Sequence, residues 1–365
     1  MTAMPSPAAG EPAPWFPATT VSEPSETVAF DELAGRYIVL FFLASAARPD
    51  VAEILAALKR REDLFDGQRA LLVGITNDPD DFEKQRLQND AGQLFLHDST
   101  GLAATRYGLA DPACVTSDTI SPVAFILSPA LQIIDIVHLT ETTRFLDSVT
   151  SLVADLLAQP PVAQNAPVLI VPRIFDRDFC ERLIQLYEAA GGREIGSIEN
   201  RETIIERFDP QFRKRLDYYV SDESALRRAK ELLQRRLLPM VYRAFQFPTT
   251  RIERYLVGCY DAATGGYFRA HRDNTAPVVA HRRFAVTITL NEDYEGGCLS
   301  FPEYGPQVYK AKPGDAIVFS CSLLHEVTPV TGGSRYAFLS FLYDEQSQKL
   351  RDAYSKKQAD SQARL

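Results

Sequence analysis

Apolar residues first gather at Tyr37–Leu43, an unbroken run of strand length, and comparable blocks recur at Ala70–Thr76, Val123–Ser128 and Ile133–His138. Between them, Pro49–Lys59 and Asp80–Gln88 read as helices, and a last helix spans about Thr143–Leu157. Strands alternating with helices predict an α/β layered domain. The stretch Gln159–Pro167 then places three prolines within nine residues, which resists helix and sheet alike and reads as a linker.

Beyond the linker the period changes. Phe179, Leu183, Leu186 and Ala190 form an amphipathic stripe capped by Asp176 or Asp178 and stopped by Gly191-Gly192. Another helix starts near Ser221. After Arg251 the pattern becomes short strands separated by Gly, Pro, Asn and Asp turns, with Arg283–Leu290 the clearest alternation. Ala285, Thr287 and Thr289 fall on one face there, and Phe284, Val286, Ile288 and Leu290 on the other. Helices followed by strands predict a barrel or sandwich braced by helices. The expected division is a loose leader at 1–25, an α/β domain at 26–158, a linker at 159–167, a β-rich domain at 168–350 and a polar tail at 351–365. The leader is assigned by its Pro, Ala, Ser and Thr content, too poor in apolar surface to offset ordering.

At 365 residues two domains are the natural count, and 45% hydrophobic with 24% charged residues is ordinary globular composition. A net charge of −9 removes the basic field that nucleic acid or a polybasic membrane anchor requires. The first residues carry no signal-peptide pattern, and the longest apolar run, Tyr37–Ala47, is too short to span a bilayer. Five cysteines, Cys114, Cys180, Cys259, Cys298 and Cys321, show no C-x-x-C pair and fit a reducing compartment. A cytoplasmic location is expected.

Candidate chemistry begins at His271-Arg-Asp273, since residues two apart on a strand point to one side. Alone it is weak, because a surface histidine near an acid is common. His325, after the turn Lys312-Pro-Gly-Asp315, supplies a third ligand from a separate strand. Two imidazoles and a carboxylate on one face of iron(II) leave three positions open, whereas zinc more often sits in a closed tetrahedral cage. Arg335 precedes the apolar strand Tyr336–Phe341, and its planar fork suits a carboxylate such as 2-oxoglutarate. His97, His138 and His281 read as ordinary histidines, Cys259, Cys298 and Cys321 as small apolar fillers, and the Arg227-Arg228 and Arg235-Arg236 pairs as a solvated face.

The order Tyr260, Gly265-Gly-Tyr-Phe-x-x-His271-x-Asp273, Leu290-Asn, Gly296-Gly-x-Leu-x-Phe301-Pro, Lys312-Pro-Gly-Asp-Ala-x-x-Phe319, His325 and Arg335 resembles the iron(II)- and 2-oxoglutarate-dependent dioxygenases of the prolyl 4-hydroxylase type. The phrase His325-Glu-Val-Thr-Pro-Val-Thr-Gly-Gly333 resembles its bacterial hydroxylases. That resemblance implies a double-stranded β-helix (jelly-roll) with bracing helices, iron on His271, Asp273 and His325, and Arg335 on the distal carboxylate of 2-oxoglutarate. Tyr260 and Thr289 would line the co-substrate pocket, Thr289 standing near where some relatives carry a tyrosine. No catalytic side chain beyond the metal set is implied. Fe(II), 2-oxoglutarate and O2, with ascorbate as a further candidate, would hydroxylate a prolyl residue of a peptide or protein and release succinate and CO2.

The first half carries a second resemblance. Gly10–Phe16, Val39–Leu43, Asp78-Pro-Asp-Asp-Phe82 and Asp98-Ser-Thr-Gly–Leu109 are similar to a peroxiredoxin of the thioredoxin fold. Where that family carries its peroxidatic cysteine, this chain has Asp50 or Val51, and no thiol precedes Cys114. A carboxylate cannot reduce a peroxide, so this half is expected to bind rather than catalyse, as a platform for a homodimer or a protein substrate. Ser121-Pro122 resembles the family's cis-proline. Two rival readings stand beside this one: a metal-binding barrel with non-oxygenase chemistry, against which Arg335 argues, and a redoxin-based interaction protein with an inactive barrel, against which the intact triad argues.

Overall fold

The computed structural model describes residues 5–21, 27–111, 116, 119–160, 164–194, 197–198, 206–207 and 209–362. It divides into two compact units, residues 1–164 with 302–306 and residues 165–301 with 307–365. Each is described by itself.

The first unit is a thioredoxin-like α/β fold. Its elements are β1 (Pro17–Thr20), β2 (Thr27–Ala29), β3 (Tyr37–Ala44), α1 (Pro49–Lys59), β4 (Ala70–Thr76), α2 (Pro79–Glu83), β5 (Gln93–His97), α3 (Leu102–Arg106), β6 (Val123–Leu127), β7 (Ile133–His138) and α4 (Thr142–Ala158). They build one seven-stranded sheet in the order β2-β1-β5-β4-β3-β6-β7, parallel across β5, β4 and β3. A central parallel strand is covered on both faces, which is why β3 is a continuous apolar run rather than an alternating one. On one face Val39, Phe41 and Leu43 pack with α1 and α4 through Val51, Ile54, Leu58, Phe145, Val149 and Val153.

Several expectations are corrected here. The leader is not loose throughout: Phe16 is buried, and β1 pairs with both β2 and β5. One aromatic anchor and two ladders order a segment that composition alone makes loose. β5 and α3 had no clear period, and the helix expected over 80–88 is the single turn α2. Ser121–Pro122 is trans, as no described peptide bond is cis. Cys114 and linker residues 161–163 lie outside the described residues.

The second unit starts with β8 (Leu169–Val171) and α5 (Arg177–Ala190) and continues with β9 (Arg193–Glu194), β10 (Ser197–Ile198), β11 (Glu206–Arg207), β12 (Arg213–Lys214), β13 (Leu216–Tyr219), α6 (Glu223–Leu232) and α7 (Leu238–Phe245). The strands β14 (Arg251–Asp261), β15 (Tyr267–His271), β16 (Phe284–Thr289), β17 (Tyr294–Gly296), β18 (Leu299–Ser300), β19 (Val308–Tyr309), β20 (Ala316–Ser320), β21 (His325–Val327) and β22 (Val330–Tyr343) follow, and α8 (Glu345–Gln362) closes the chain. A five-stranded sheet, β12-β15-β21-β18-β19, and an eight-stranded sheet running β8-β20-β16-β22-β14-β13-β9, with β17 added to β22, form a jelly-roll.

The outer face of the larger sheet packs Val257, Val286, Ile288, Val318, Phe338 and Leu342 against Phe179, Leu183, Ala229, Leu233, Leu237 and Val241 of the bracing helices. Burying each such side chain contributes roughly 1.5–3 kcal/mol. The α5 stripe runs through Phe179, Cys180, Leu183 and Tyr187, with Ala190 exposed. Asp176 caps it, its Oδ1 accepting from the Phe179 N–H at 3.0 Å. The arginine pairs are only partly a solvated face, since Arg228 bonds Asp176 Oδ2 at 2.7 Å and Arg236 donates to the carbonyls of Arg173 and Ile174. The expected polar tail forms most of α8.

Candidate metal and carboxylate site

β15 and β21 pair antiparallel with His271 opposite His325, after a register shift between Phe268 and His271. The shift is what faces the two rings, whose centroids lie 4.3 Å apart. Asp273 stands beyond the strand end, in a turn fixed by its N–H donating to Cys321 O at 2.9 Å. A turn, rather than strand alternation, therefore brings the carboxylate round. His271 Nε2 lies 3.6 Å from Asp273 Oδ1, and His325 Nε2 lies 3.4 Å from Oδ2. One ligand atom from each residue falls within 4.8 Å of the others.

The other ring nitrogens fix the protons. His271 Nδ1 donates to Arg269 O at 2.8 Å and His325 Nδ1 to Leu323 O at 3.0 Å. Carbonyls only accept, so in the neutral rings both Nε2 atoms carry bare lone pairs. Burial, and then the neighbouring His271, push His325 down to about 4. Burial alone would raise Asp273, but the facing imidazoles hold it well below the usual carboxylate range. With both rings neutral, the three groups are acceptors aimed at one another without a donor between them. A divalent cation removes that conflict, and two nitrogens with one carboxylate suit iron(II). Phe268 stacks on His271 at 3.6 Å, while Phe319 and Phe301 stand 4.6 and 6.3 Å from His325. Three rings wall the site.

Arg335 lies opposite Tyr260 across β14 and β22 and is buried. Its Nη2 donates weakly to Thr287 Oγ1 at 3.5 Å, whereas Nε and Nη1 have no partner among the described residues. A buried guanidinium with unpaired N–H groups costs energy unless a ligand meets it, and a carboxylate supplies both acceptors and the opposite charge. Gly297 makes room: its φ is +58°, and a Cβ there would fall 3.0 Å from Arg335 Cδ. The Tyr260 ring lies 5.1 Å from the Arg335 guanidinium, and its hydroxyl accepts from Arg215 Nη1 at 3.2 Å. Thr289 is buried two residues beyond Thr287 on the same face.

Sequence reasoning missed Arg215, Asp217, Phe268 and the singular place of Thr287. Arg215 and Asp217 form a buried two-point pair at 2.6 and 2.9 Å. Glu253 was also missed. It accepts from His281 Nε2 at 2.6 Å and Arg282 Nη2 at 2.7 Å, and Arg282 lies over the Phe341 ring. A bulge in β14 places it there, with Arg254 at φ +64° and Ser340 Oγ donating to the carbonyls of both bulged residues. Apart from the opposite charges two positions apart at Arg215 and Asp217, the sequence carries no local signal for such contacts.

In the first unit, Val51 is buried and Asp50 half-exposed at the start of α1. Arg48 holds Asp50 through two bonds, at 3.1 and 2.8 Å, which lower its carboxyl. Behind it Asp81 accepts from Thr76 Oγ1, Ala46 N and Arg86 Nη1 at 2.6, 2.8 and 2.9 Å.

Residues 255–343 match the 2OG-Fe(II) oxygenase superfamily, and residues 9–136 match the AhpC/TSA family. The chain thus carries two segments, each similar to one of these families. PKHD-type hydroxylases are similar to part of the chain: that of Synechococcus sp. (strain JA-3-3Ab) is 35% identical over 98 residues, 25% of this chain and 43% of the relative. PiuC of Pseudomonas aeruginosa is 38% identical over 91 residues, 22% and 39% of the two chains. The chain thus spans under half the length of these relatives. Among solved structures, a Pseudomonas putida prolyl-4-hydroxylase is similar over 54% of this chain and 99% of its own, at 17% identity and TM-score 0.39. Mycobacterium tuberculosis AhpC is similar over 42% and 95%, at 20% identity and TM-score 0.35. The 2OG-Fe(II) oxygenase family implies Fe(II), 2-oxoglutarate and O2.

Proposed function

We propose that the second unit is an Fe(II)- and 2-oxoglutarate-dependent hydroxylase of a prolyl residue in a peptide or protein, forming succinate and CO2. The observation that carries this reading is the pairing of three converging acceptors, His271, Asp273 and His325, with a buried Arg335 whose Nε and Nη1 are open. The open guanidinium favours an oxygenase over a barrel that merely holds a metal. The prolyl substrate is supported by the motif resemblance and by the hydroxylase names of the relatives.

Held by His271, Asp273 and His325, iron(II) would supply the activation of dioxygen. This chain's residues do the rest. His271 and His325 present Nε2 while their Nδ1 protons stay on backbone carbonyls, so the rings cannot turn away. Arg335 takes the distal carboxylate of 2-oxoglutarate, flanked by the Thr287 hydroxyl and the Tyr260 ring. Phe268, Phe301 and Phe319 keep water from the reacting centre. In the first unit Asp50 or Val51 stands in place of a reactive thiol, and the domain acts by binding, through self-association or by holding a protein substrate, within the cytoplasm.

Anaerobic titration of the full chain with Fe(II), followed by 2-oxoglutarate, ascorbate and air, tests the reading. One iron per chain and succinate formation are expected. His271→Ala and Asp273→Ala should each lower turnover by at least about 10³, roughly 4 kcal/mol of activation. Succinate formation undiminished in both variants would overturn the triad.

A further inference from the structure

The minor sheet's outermost strand, β12, pairs with β15 so that Arg213 faces Phe268 and Lys214 faces Tyr267. In a chain of net charge −9, the two stretches 211–215 and 267–272 hold Arg213, Lys214, Arg215, Arg269 and Arg272 and no carboxylate. These cations are not equivalent. Arg215 is locked onto Asp217, Arg269 Nε donates to Gln211 O, and Arg272 Nη1 donates to Ser322 O. Arg213 is half-buried, and its guanidinium has no hydrogen-bond partner among the described residues.

Its position is tied to the metal site. The Arg213 guanidinium lies 5.4 Å from the Phe268 centroid, and that ring stacks on His271 at 3.6 Å. These two contacts place the charge no more than about 9 Å from a metal-ligating imidazole. Aromatic rings thus carry three arginines in series: Arg335 and Arg215 at Tyr260, then Arg215 and Arg213 at Phe268. The innermost, Arg335, is buried and assigned to 2-oxoglutarate, and the middle one has its own carboxylate. Among the described residues of this series, only the outermost is partly desolvated without a carboxylate hydrogen-bonded to it. Burial, and then repulsion from Arg215, pull it down to about 10, as expected for a cation held in place without a partner of its own.

We propose that Arg213 reads an acidic side chain of the peptide substrate, an Asp or Glu within a few residues of the hydroxylated position. The inference rests on the hydroxylase reading above. A carboxylate suits the site because a guanidinium presents two parallel donors to it, and an extended peptide at about 3.3 Å per residue reaches from the metal to Arg213 in about three residues.

The test uses the iron-loaded full chain and fluorescent decapeptides of Gly, Ala and one central Pro, with Glu, Gln or Lys placed in turn at each position up to four residues either side. Binding is read by anisotropy and hydroxylation by mass. The native protein should bind the Glu peptide at one or two positions about tenfold more tightly than its Gln counterpart, with the advantage shrinking as salt rises. Arg213→Gln should abolish that advantage, Arg213→Lys should keep part of it, and Arg213→Glu should transfer it to the Lys peptides at the same positions. The charge swap separates recognition from folding, because a merely damaged protein would not gain a new preference. Equal binding of Glu, Gln and Lys peptides, no binding of any, or a Glu preference unchanged in Arg213→Gln would overturn the proposal. A Glu preference that follows residue 213 in a protein without 2-oxoglutarate turnover would leave it standing and sink the hydroxylase reading instead.

Discussion

Each unit gathers polar side chains around the end of a central strand, and the two gatherings differ in what they leave open. In the first, Ser45 donates to Asp78, Asp81 is met by a hydroxyl, a backbone N–H and a guanidinium, and Asp50 is held by Arg48. Each of these carboxylates is met by donors of its own, so none of the three calls for a ligand. In the second, three acceptors face one another, and Arg335 keeps two N–H groups unpaired in a buried place. A protein tolerates the cost of such open valences where something else satisfies them. The comparison separates a polar cluster that holds a fold from one that awaits a ligand.

Breaking the open cluster should have the larger consequence. Arg335→Leu should raise the 2-oxoglutarate concentration for half-maximal turnover by about 100-fold, a charge-assisted two-point contact of roughly 3 kcal/mol, with iron binding changed little. Saturation curves of succinate formation decide it, and an unchanged half-saturation would move the carboxylate anchor elsewhere, with Arg283 next in line.

Within the second unit, the closed network at Glu253 sharpens the contrast, because it should matter to stability. Burial raises Glu253, but His281 and Arg282 more than reverse this and hold it well below the ordinary range. A carboxyl depressed in the folded state adds stability above its unfolded value near 4.3 and loses it as pH falls through the folded value. Glu253→Gln should cost about 3 kcal/mol at pH 7, and the penalty should shrink as pH drops below about 4. Denaturant unfolding at pH 7 and pH 3.5 measures both, and a penalty independent of pH would show that the pair is not ionic.

The smallest effect should come from Asp50. Its pair with Arg48 is solvent-accessible, so Asp50→Ala should change stability by no more than about 1 kcal/mol, whereas Asp81→Ala, which strips a buried carboxylate from three donors, should cost about 3 kcal/mol. Neither variant, nor the native protein, should reduce hydrogen peroxide at the expense of a thiol. Peroxidase activity lost in Cys114→Ser would show that the first half catalyses after all.

What the sequence determined on its own was whatever depends on neighbours along the chain. The alternation of Phe284, Val286 and Ile288 with Ala285, Thr287 and Thr289 set which face of β16 meets the helices, because side chains on a strand alternate regardless of the partner strand. The absence of a cysteine at Asp50 or Val51, and the types and order of His271, Asp273, His325 and Arg335, were legible in the same way. Tertiary structure alone decided the rest. Phe16 and β1 were ordered by strands far along the chain, against their composition. The β15–β21 register shift, not strand parity, aimed the imidazoles and left the carboxylate to a turn. Arg213 reached the His271 wall only because β12 pairs with a strand more than fifty residues away. Local sequence fixes the direction of a side chain relative to its own backbone, whereas which groups meet, and which stay unpaired, depends on strand register and burial that no short stretch encodes.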